Sequence, residues 1–313
     1  MRNTPKIVIV EKVALVGTIS NAESNLKSDL FKMIYALSSF ELVQIFLVES
    51  DSTDSTVSIL EELSREIGQF SYTSLGQLRQ EIPERINRIR HCRNVYVEQI
   101  RPLIRKNSID YVIVADLDGM NSRISPNSID SSFARKNWAA VLANQSGGYY
   151  DLLALRHPTW CPGDVISELK IEQSKIDKAP ISIIALLSRA KRRIAFDKAR
   201  VRAIYSKMKV IDKDANWIEV NSGFGGLAIY KSSIFESYDY SLGIGDIESE
   251  SEHVALSNKI TRSGQKIYIN PRMINNSFNT YNVNRFLIVR QIREIYWNSK
   301  ARLQKTKSNR TLR

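Results

Sequence analysis

Apolar strands and amphipathic helices alternate over the first 120 residues, and no other feature constrains the fold as strongly. The segments that predict strands are short, apolar and rich in β-branched residues, and they cover residues 6–16, 42–48 and 111–115. Around them, apolar residues recur at helical spacing over 25–39, 56–67 and 84–105. This order predicts an α/β fold in which a mostly parallel central sheet is flanked by helices.

The second half of the chain is less regular. Its pattern predicts a helix over 138–145, a strand over 150–155, and partly helical structure in the basic stretch 164–209. Residues 252–263 have helical spacing, and 283–297 predicts a last amphipathic helix before a basic tail. Because there is no internal repeat and no clear linker, we expect one compact domain.

Composition places the chain among globular proteins that need no covalent crosslinks. Hydrophobic residues make up 43% of its 313 residues, and it has two cysteines, Cys92 and Cys161. Neither a disulfide scaffold nor a cysteine zinc site is therefore expected. The N-terminal apolar stretch is interrupted by Glu11 and Lys12, and no run of about 18 apolar residues occurs. We expect a cytoplasmic protein without a signal peptide or a membrane-spanning helix.

Positive charge is concentrated in two segments of the chain, whose net charge is +12. Residues 189–209 contain nine Lys or Arg and one acid, and residues 300–313 add six Lys or Arg and no acid. Apolar residues interleaved in the first segment favour peripheral contact with an anionic membrane, on its inner face. A solvated basic helix is the alternative. Nucleic acid is the least favoured partner, because no recognised binding module accompanies the charge.

Acidic side chains follow two of the predicted strands at the point where each strand ends. Glu49 is the first polar residue after the second strand, and Asp116 and Asp118 follow the third. Ligands of parallel sheets bind beyond the carboxyl ends of the strands. Oxygen ligands of this kind suit Mg²⁺ or Mn²⁺, with substrate phosphates completing the shell. Most Asp-x-Asp pairs are solvated loop acids, and Asp54 fits a helix cap, but the position of this pair after a buried strand favours a metal site.

Three segments together resemble the nucleotide-sugar-dependent glycosyltransferases of the GT-A type. Residues 48–56, Val-Glu-Ser-Asp-Ser-Thr-Asp-Ser-Thr, resemble the acidic segment after that family's second strand, and 90–94, Arg-His-Cys-Arg-Asn, resemble its Arg-Asn helix segment. Asp116-Leu117-Asp118 resembles its metal-binding Asp-x-Asp. More loosely, 221–226 and 250–253 look like the acceptor-side and catalytic segments of bacterial polysaccharide and capsule-associated transferases. The implied fold is GT-A-like, with a Rossmann-like nucleotide-binding half and an acceptor half.

The resemblance implies a donor site at the carboxyl edge of the sheet. Glu49 would contact the nucleoside, and Arg93 would neutralise phosphate unless it is an ordinary helix-surface arginine. Asp116 would face ribose or metal, and Asp118 would ligate the metal. The full implied donor set is Gly17, Thr18, Asn21, Glu49, Arg93, Asp116, Leu117 and Asp118. Glu49 and Ser50 stand where two aspartates are usual, so UDP- and GDP-sugars both remain open as donors.

Four acids crowded into seven residues are the candidates for a catalytic base: Asp246, Glu248, Glu250 and Glu252. An inverting transferase needs a carboxylate that takes the proton of the acceptor hydroxyl, and like charges in a crowd are expected to raise some of the pKa values. We favour Glu252, then Glu250, with Asp246 as a further candidate; a solvated acidic loop is the alternative. His253 is a candidate third metal ligand or phosphate contact, or an ordinary histidine.

The acceptor is expected to lie against four residues of the second half. Trp160 could stack on a sugar face, although core packing is its alternative role, and Arg156 could pair with phosphate. Asn221 and Ser222 could hydrogen-bond an acceptor sugar, since the glycines at 225–226 allow close backbone approach.

These observations predict a metal-dependent glycosyltransferase using Mn²⁺ or Mg²⁺. It would move a sugar from a nucleotide diphosphate sugar to a glycan or lipid-linked acceptor in bacterial surface polysaccharide or glycoconjugate synthesis. Residues 1–285 would form the GT-A domain, with 1–120 binding the donor and 121–285 the acceptor, followed by a helix and tail at 286–313. One alternative is a sugar-phosphate nucleotidyltransferase, but the chain lacks a glycine-rich, arginine-containing loop after the first strand. The other is a non-enzymatic basic protein that binds membrane or nucleic acid.

Overall fold

An eight-stranded mixed sheet forms the centre of the computed structural model, which describes residues 10–177 and 189–277. In chain order the strands are β1 (Lys12–Ile19), β2 (Glu41–Glu49), β3 (Phe70–Ser74), β4 (Tyr111–Ala115), β5 (Ala140–Gln145), β6 (Ile218–Val220), β7 (Leu227–Lys231) and β8 (Ile267–Asn276). Their order in the sheet is β3-β2-β1-β4-β7-β5-β8-β6. Only β6 and β7, among these described strands, run against the others. The predicted fold class, a mostly parallel sheet flanked by helices, is confirmed.

Helices cover both faces of this sheet. In chain order they are α1 (Leu26–Ala36), α2 (Thr56–Glu66), α3 (Arg85–Arg105), α4 (Pro126–Asp130), α5 (Val165–Asp177), α6 (Arg189–Ala203), α7 (Ser232–Ser237) and α8 (Glu252–Arg262). Since successive side chains of a strand point to opposite faces, β1 contributes to two cores. Val13 and Leu15 pack with α1 and α2, whereas Ala14 and Val16 pack with α3. Burial on both faces explains why the central strands are almost continuously apolar.

The carboxyl ends of the parallel strands meet at one edge of the sheet. Ile19 at the end of β1 pairs with Glu49 at the end of β2, which in turn pairs with Ser74 of β3. Strand β4 runs parallel to β1 and ends at Ala115, directly before Asp116. Strands β5 and β8 point the same way. The carboxyl ends of these six strands therefore share one edge, as expected for a ligand site in such a sheet.

Two elements predicted in the second half are wrong. Residues 138–145 are not a helix: Ala140–Gln145 is β5, and all six of its side chains are buried inside the sheet. Residues 150–155 are not a strand but a series of turns. Strands β3, β6 and β8 were not predicted, whereas the helix predicted over 252–263 is confirmed as α8.

Some predicted features lie outside the described residues. These are the start of the first predicted strand, the helix predicted over 283–297 and the basic tail 300–313. Within 10–177 and 189–277, no helix is both long enough and apolar enough to cross a membrane.

Candidate functional site

Gly17 lets β1 approach β4 closely at the carboxyl edge. A Cβ atom at this position would lie 2.5 Å from the carbonyl oxygen of Ala115, which is closer than such atoms can approach. Any side chain here would push apart the two strands that lead to Thr18 and to Asp116. The predicted contribution of Gly17 and Thr18 to a donor pocket stays a prediction, but the backbone geometry at Gly17 is required by the sheet itself.

Glu49 shapes the loop that follows β2. Its carboxylate is 1% exposed, Oε1 accepts a hydrogen bond from the Ser52 amide at 2.9 Å, and Oε2 accepts one from the Ser74 hydroxyl. Asn21 fixes the same loop from the side of β1, since its Oδ1 accepts from the Thr53 amide at 2.8 Å. The Asn21 backbone has a φ of 50°, a left-handed conformation that asparagine tolerates better than most residues. Two predicted donor residues thus hold one loop at the sheet edge.

Asp116 and Asp118 leave β4 where the sheet opens. The Asp116 amide donates to the Gly226 carbonyl at 3.0 Å, which fixes the start of the turn, and its side chain is 29% exposed. Asp118 is exposed. Leu117 between them is 2% exposed and belongs to the core beneath α1. The side chain of Leu117 therefore anchors the pair, and only its backbone could contribute to donor binding.

The peptide after Asp118 is clamped from two sides. Asp29 on α1 accepts a hydrogen bond from the Gly119 amide at 2.7 Å, and Asn276 at the end of β8 donates to the Gly119 carbonyl at 3.1 Å. Gly119 has a φ of 97°, which only glycine adopts readily. Because hydrogen bonds from both halves of the fold meet at this peptide, the turn carrying Asp118 is held in a defined position.

A buried network of side-chain amides supports the turn from below. Asn121 donates to the Asp116 and Gly226 carbonyls. Asn275 donates to Asn121 Oδ1 at 3.1 Å and to the Gly225 carbonyl at 2.8 Å, and Gln145 donates to the same carbonyl at 3.1 Å. Backbone groups of the turns are thereby satisfied where water cannot reach them, which is the condition for stable irregular backbone in an interior.

Arg93 on α3 links Asp116 to the second half of the chain. Its side chain is 4% exposed; Nε donates to Glu252 Oε1 at 2.8 Å, and Nη2 lies 3.5 Å from Asp116 Oδ1. The guanidinium also lies over the Phe224 and Tyr240 rings, 5.1 and 5.5 Å from their centroids. Arg93 is therefore a buried cation shared by two carboxylates and not a helix-surface arginine. Its predicted role toward donor phosphate stays a prediction.

Negative charge accumulates around this arginine. Burial raises the pKa of Asp116 to about 8, against the effect of Arg93, and the charges of Asp118, Asp151 and Glu252 add to the rise. Partial desolvation of its carboxylate by the surrounding turn also raises the pKa of Asp118, although part of the residue is exposed, and the charge of Asp29 adds to the rise. The pKa of Asp151 is raised as well, by burial first, although two backbone amides oppose the rise. Because burial is the first cause of all three raised values and neighbouring acids add to it, a divalent cation placed here would favour the ionised carboxylates.

The four acids considered as bases each have a partner of their own, which is an arginine for Asp246, Glu250 and Glu252. Glu252 pairs with Arg93, and Glu250 Oε1 accepts from Arg156 Nη2 at 2.9 Å. Asp246 accepts from the Gly243 amide at 2.7 Å and from Asn258 at 2.9 Å, and lies 3.3 Å from Arg262 Nη2. Glu248 accepts from Asn87 at 2.7 Å. The four acids are crowded in sequence but dispersed in space.

The prediction that crowding raises pKa values is therefore wrong for two of these acids. Burial would raise the pKa of Glu252, but His253 and Arg93 outweigh it and the net shift is downward. For Asp246, burial is likewise outweighed by hydrogen bonds from Gly243 and Asn258, and the pKa is lowered. A carboxylate held ionised by fixed partners is a poor proton acceptor, so the geometry gives no support to the predicted role of Glu252 and Asp246 as bases.

His253 does not join the aspartates. Its ring is 3% exposed and stacks on Phe224, with ring centroids 3.9 Å apart. Burial, reinforced by Arg93, lowers its pKa to about 3, so the imidazole is neutral. Within residues 10–177 and 189–277, no three His, Cys, Asp or Glu side chains come together as a metal-binding set. The prediction of His253 as a third metal ligand is corrected, because stacking and burial direct it into the core.

The predicted acceptor residues divide into two kinds. Arg156 contacts the 250–253 segment, since it binds Glu250, and it lies 3.6 Å from Asp164; its acceptor role stays a prediction. Trp160 is 7% exposed, packs on Tyr149 at 5.5 Å and donates to the Lys207 carbonyl at 2.6 Å. Its ring is therefore in the core rather than at a surface on which a sugar could stack.

Asn221 and Ser222 flank the turn that enters β7. Asn221 is exposed, and its amide donates to the Arg156 carbonyl at 2.8 Å. Ser222 is fully buried and pairs with Arg156 through its backbone. Of the two, only the Asn221 side chain is placed where it could reach an acceptor.

Sequence reasoning missed Tyr150 and Asp151. Gly225 donates its amide to Asp151 Oδ2 at 3.0 Å, and a Cβ at Gly226 would lie 2.7 Å from the Tyr150 hydroxyl. Both residues therefore lie directly against the turn that binds Asp116. A usable signal existed, because they follow β5, but it depends on recognising 140–145 as a strand that ends at the same edge.

The donor set fits a hard divalent cation. Asp116 and Asp118 supply carboxylate oxygens at one turn, Asp118 is exposed, and the pKa of both is raised, so a bound cation would favour their ionised forms. Mg²⁺ and Mn²⁺ commonly take one or two protein carboxylates and complete their shell with water and substrate phosphates. Two aspartates without a third protein ligand are consistent with that mode of binding.

Comparison with known proteins gives structural similarities only. No family model matches the chain, and no curated protein does. A mannosyltransferase from Pyrobaculum calidifontis, solved with GDP-Man and Mn²⁺, is similar at 13% identity and a TM-score of 0.45 over 86% of this chain and 57% of its own. S. aureus TarS 1–349 with UDP-GlcNAc is similar at 12% identity and a TM-score of 0.43, over 88% of this chain and 61% of its own.

A third similar structure is glucosyl-3-phosphoglycerate synthase from Mycobacterium tuberculosis with Mn²⁺, UDP and phosphoglyceric acid. It has 11% identity and a TM-score of 0.34, over 85% of this chain and 67% of its own. The chain thus spans about three fifths of the length of the first two structures. At identities this low, the similarity is one of fold alone.

Proposed function

We propose that the chain is a glycosyltransferase of the GT-A type that uses a divalent cation and a nucleotide diphosphate sugar. The observation that carries the proposal is the arrangement at the carboxyl edge: Asp116 and Asp118 follow a buried strand, the peptide after Asp118 is held by hydrogen bonds from both halves of the fold, and the pKa of both carboxylates is raised. A merely structural Asp-x-Asp would not need this support. Its position beyond the ends of parallel strands is where such folds bind nucleotides.

The donor would lie between the loops after β1, β2 and β4. Asp116 and Asp118 would hold Mn²⁺ or Mg²⁺, which when bound acts as a Lewis acid toward the departing diphosphate. Glu49 and Asn21 support the proposal by fixing the loop beside that position. Their role would be to hold a nucleoside pocket in shape, because the described contacts of Glu49 already occupy both of its carboxylate oxygens. UDP- and GDP-sugars are both compatible with this arrangement.

Arg93 would couple donor and acceptor sides. It contacts Asp116 on one side and Glu252 on the other. A change in the charge of either carboxylate would therefore alter the interaction of Arg93 with the other. In a buried site such an ion pair orients its members more than it stabilises the fold. We therefore assign Glu252 to positioning Arg93 rather than to proton transfer.

The acceptor would approach from the side of Asn221 and Arg156. The ion pair of Arg156 with Glu250 joins the two segments that line this side. The acceptor hydroxyl belongs to a glycan or a lipid-linked sugar in this proposal, and bacterial surface polysaccharide or glycoconjugate synthesis is the setting that the sequence resemblance implies.

A peripheral membrane contact through α5 and α6 would suit a lipid-linked acceptor. The helices are joined by Arg202 to Glu172 at 2.6 Å, and Ile171 and Ile194 are 56% and 48% exposed. Exposed cations beside exposed aliphatic side chains favour the interface of anionic bilayers.

The membrane contact is tested with Arg193→Gln combined with Lys198→Gln, two exposed positions. Binding to vesicles that contain anionic phosphatidylglycerol should fall about tenfold or more, from about 1 kcal/mol per charge, whereas Arg272→Gln, an exposed cation elsewhere, should leave it unchanged. Equal loss in both variants would reject this surface.

The function itself is tested by thermal shift with Mn²⁺ plus UDP, GDP, UDP-glucose, UDP-N-acetylglucosamine or GDP-mannose. A ligand that binds the folded state raises the melting temperature. We expect one nucleotide class to stabilise the chain, and to do so only with the metal present. No stabilisation by either class, or equal stabilisation after chelation of the metal, would reject the proposal.

A further inference from the structure

Asp151 occupies a special position among the acids of the site. It follows β5 and lies in a turn that its own side chain closes, because Oδ1 accepts from the Ala154 amide at 3.3 Å. Its other oxygen accepts from the Gly225 amide at 3.0 Å. The residue is half-buried and lies against the turn that holds Asp116. Both hydrogen bonds come from backbone amides, which carry no net charge.

A short chain of hydrogen bonds connects Asp151 with the proposed metal site. Asp151 binds Gly225, and the next residue, Gly226, accepts the Asp116 amide at 3.0 Å. Gly226 has a φ of 81° and is pressed against the Tyr150 hydroxyl. The Gly225–Gly226 turn therefore has Asp116 on one side and Asp151 on the other.

The charged surroundings of Asp151 differ from those of the other acids in the second half. Asp246, Glu250 and Glu252 each lie within 4 Å of an arginine. Within the described chain, Asp151 forms no such ion pair. Burial and the charge of Glu252 raise the pKa of Asp151, while the Gly225 and Ala154 amides and the charge of Arg93 oppose the rise without cancelling it. Such a carboxylate accepts a proton more readily than its paired neighbours.

We propose that Asp151 is the catalytic base that takes the proton from the acceptor hydroxyl. The inference rests on the proposed function and assigns its proton transfer to a residue outside the 246–252 segment. It also fixes the stereochemistry, since a base acting on the acceptor implies direct displacement with inversion at the anomeric carbon.

Proton transfer to Asp151 accompanies displacement of the nucleoside diphosphate at the anomeric carbon. The acceptor oxygen forms a bond to the anomeric carbon while its O–H bond breaks and the proton passes to the Asp151 carboxylate. The bond between the anomeric carbon and the diphosphate oxygen breaks, and its electron pair leaves with the nucleoside diphosphate. Asp151 then returns its proton to solvent. The backbone amides of Gly225 and Ala154 hold the carboxylate in place throughout.

The test compares Asp151→Asn, Asp151→Glu and the surface control Arg262→Ala in Mn²⁺-dependent hydrolysis of UDP-glucose, UDP-N-acetylglucosamine and GDP-mannose, with water as acceptor. Loss of a general base costs about 100-fold or more. We expect kcat of Asp151→Asn to fall by that factor, with nucleoside diphosphate affinity within about twofold of wild type. The wild-type rate should rise with pH through one ionisation, which Asp151→Glu retains and Asp151→Asn lacks. Arg262→Ala should match wild type.

A structural role predicts a different pattern. Asp151→Asn would then lose stability and nucleotide affinity, while the pH profile of the remaining activity would keep its shape. That pattern, or an Asp151→Asn rate within about threefold of wild type, would overturn the assignment of Asp151 and leave the proposed function intact. A wild-type chain that binds no nucleotide with Mn²⁺, or binds but never turns over any of the three donors, would contradict the proposed function instead.

Discussion

Two groups of acids face the same edge of the sheet but differ in what surrounds them. Burial raises the pKa values of Asp116, Asp118 and Asp151, and at Asp116 and Asp151 the charge of Arg93 opposes the rise without cancelling it. Asp246, Glu250 and Glu252 each have an arginine nitrogen within 3.3 Å, whereas the contact of Asp116 with Arg93 is longer, at 3.5 Å. We call the first set the open acids and the second the paired acids.

This difference suggests a functional role for the open acids and a structural role for the paired acids. The paired acids form ion pairs with fixed arginines, and these contacts contribute to the lowered pKa values of Asp246 and Glu252. The open acids are costly to ionise in the metal-free fold, and a bound cation would favour their ionised forms. Strongly perturbed carboxylates in a cleft are candidates for functional groups on these grounds.

The largest effect should follow from Asp118→Asn. Metal stabilisation of a leaving diphosphate amounts to several kcal/mol, so donor hydrolysis should fall at least about 100-fold. Asp246→Asn is the matched control from the paired acids and should retain activity within a few-fold. Equal losses in the two variants would remove the distinction between open and paired acids.

Arg93→Met should be the most destabilising change among the paired contacts. It leaves Glu252 and Asp116 without their buried cation, which costs about 3–5 kcal/mol. Urea unfolding of the purified chain measures the loss. The double variant Arg93→Met with Glu252→Leu should recover part of it, because the uncompensated charge is then gone. No recovery would show that Arg93 acts through its contacts with Phe224 and Tyr240 instead.

The open acids also predict a dependence of stability on pH. With no metal bound, the folded state keeps a proton on Asp116 up to about pH 8, whereas the unfolded chain releases it near its ordinary pKa. Folded protein thus binds more protons than unfolded protein in that window, so stability falls as pH rises through it. Between about pH 7 and 8 the decrease should be at most about 1.4 kcal/mol per unit.

Urea unfolding in the presence of a chelator measures this slope. Asp116→Asn should flatten it, and Mn²⁺ should abolish it by favouring the ionised form. His253, with a pKa lowered to about 3, titrates below this window when folded and contributes the opposite slope only at more acidic pH. A metal-free stability that rises from pH 7 to 8 would contradict the account of Asp116.

Arg262→Ala should have the smallest effect. The arginine is 53% exposed, and its partner Asp246, which is 2% exposed, keeps hydrogen bonds from Gly243 and Asn258, so the loss should be about 1 kcal/mol or less. Unfolding in urea should change by no more than that, with nucleotide affinity unchanged. A loss of affinity would show that the paired acids reach the donor site after all.

The first half of the fold follows from sequence because its signals are local. The strands before Glu49 and Asp116 are apolar on both faces, and α1, α2 and α3 have clear amphipathic spacing. Strand order and the shared carboxyl edge then follow from α/β topology. The placement of Asp116 and Asp118 at that edge could be predicted for this reason.

The second half resisted prediction for identifiable reasons. Strand β5 reads Ala-Val-Leu-Ala-Asn-Gln, in which good helix formers are buried by tertiary packing that overrides propensity. Strand β8 contains Pro271 and register shifts against β5, and proline argues against an interior strand. Because β5 was predicted as a helix, the position of Asp151 after a strand at the sheet edge could not be recognised from sequence.

Charge pairing between distant segments could not be read from sequence at all. Asp246, Glu250 and Glu252 are close together in sequence. Their ion-pair partners, Arg262, Arg156 and Arg93, lie in three different parts of the chain. Only the folded arrangement shows which acids have a cation and which do not.

The most direct test of the account is the position of Mn²⁺ in crystals grown with the metal and a nucleoside diphosphate, located by anomalous scattering. We predict one Mn²⁺ at the turn of Asp116 and Asp118, in contact with the diphosphate oxygens. Mn²⁺ bound among Asp246, Glu250 and Glu252, or a nucleotide bound away from the Asp116 turn, would contradict the central claim.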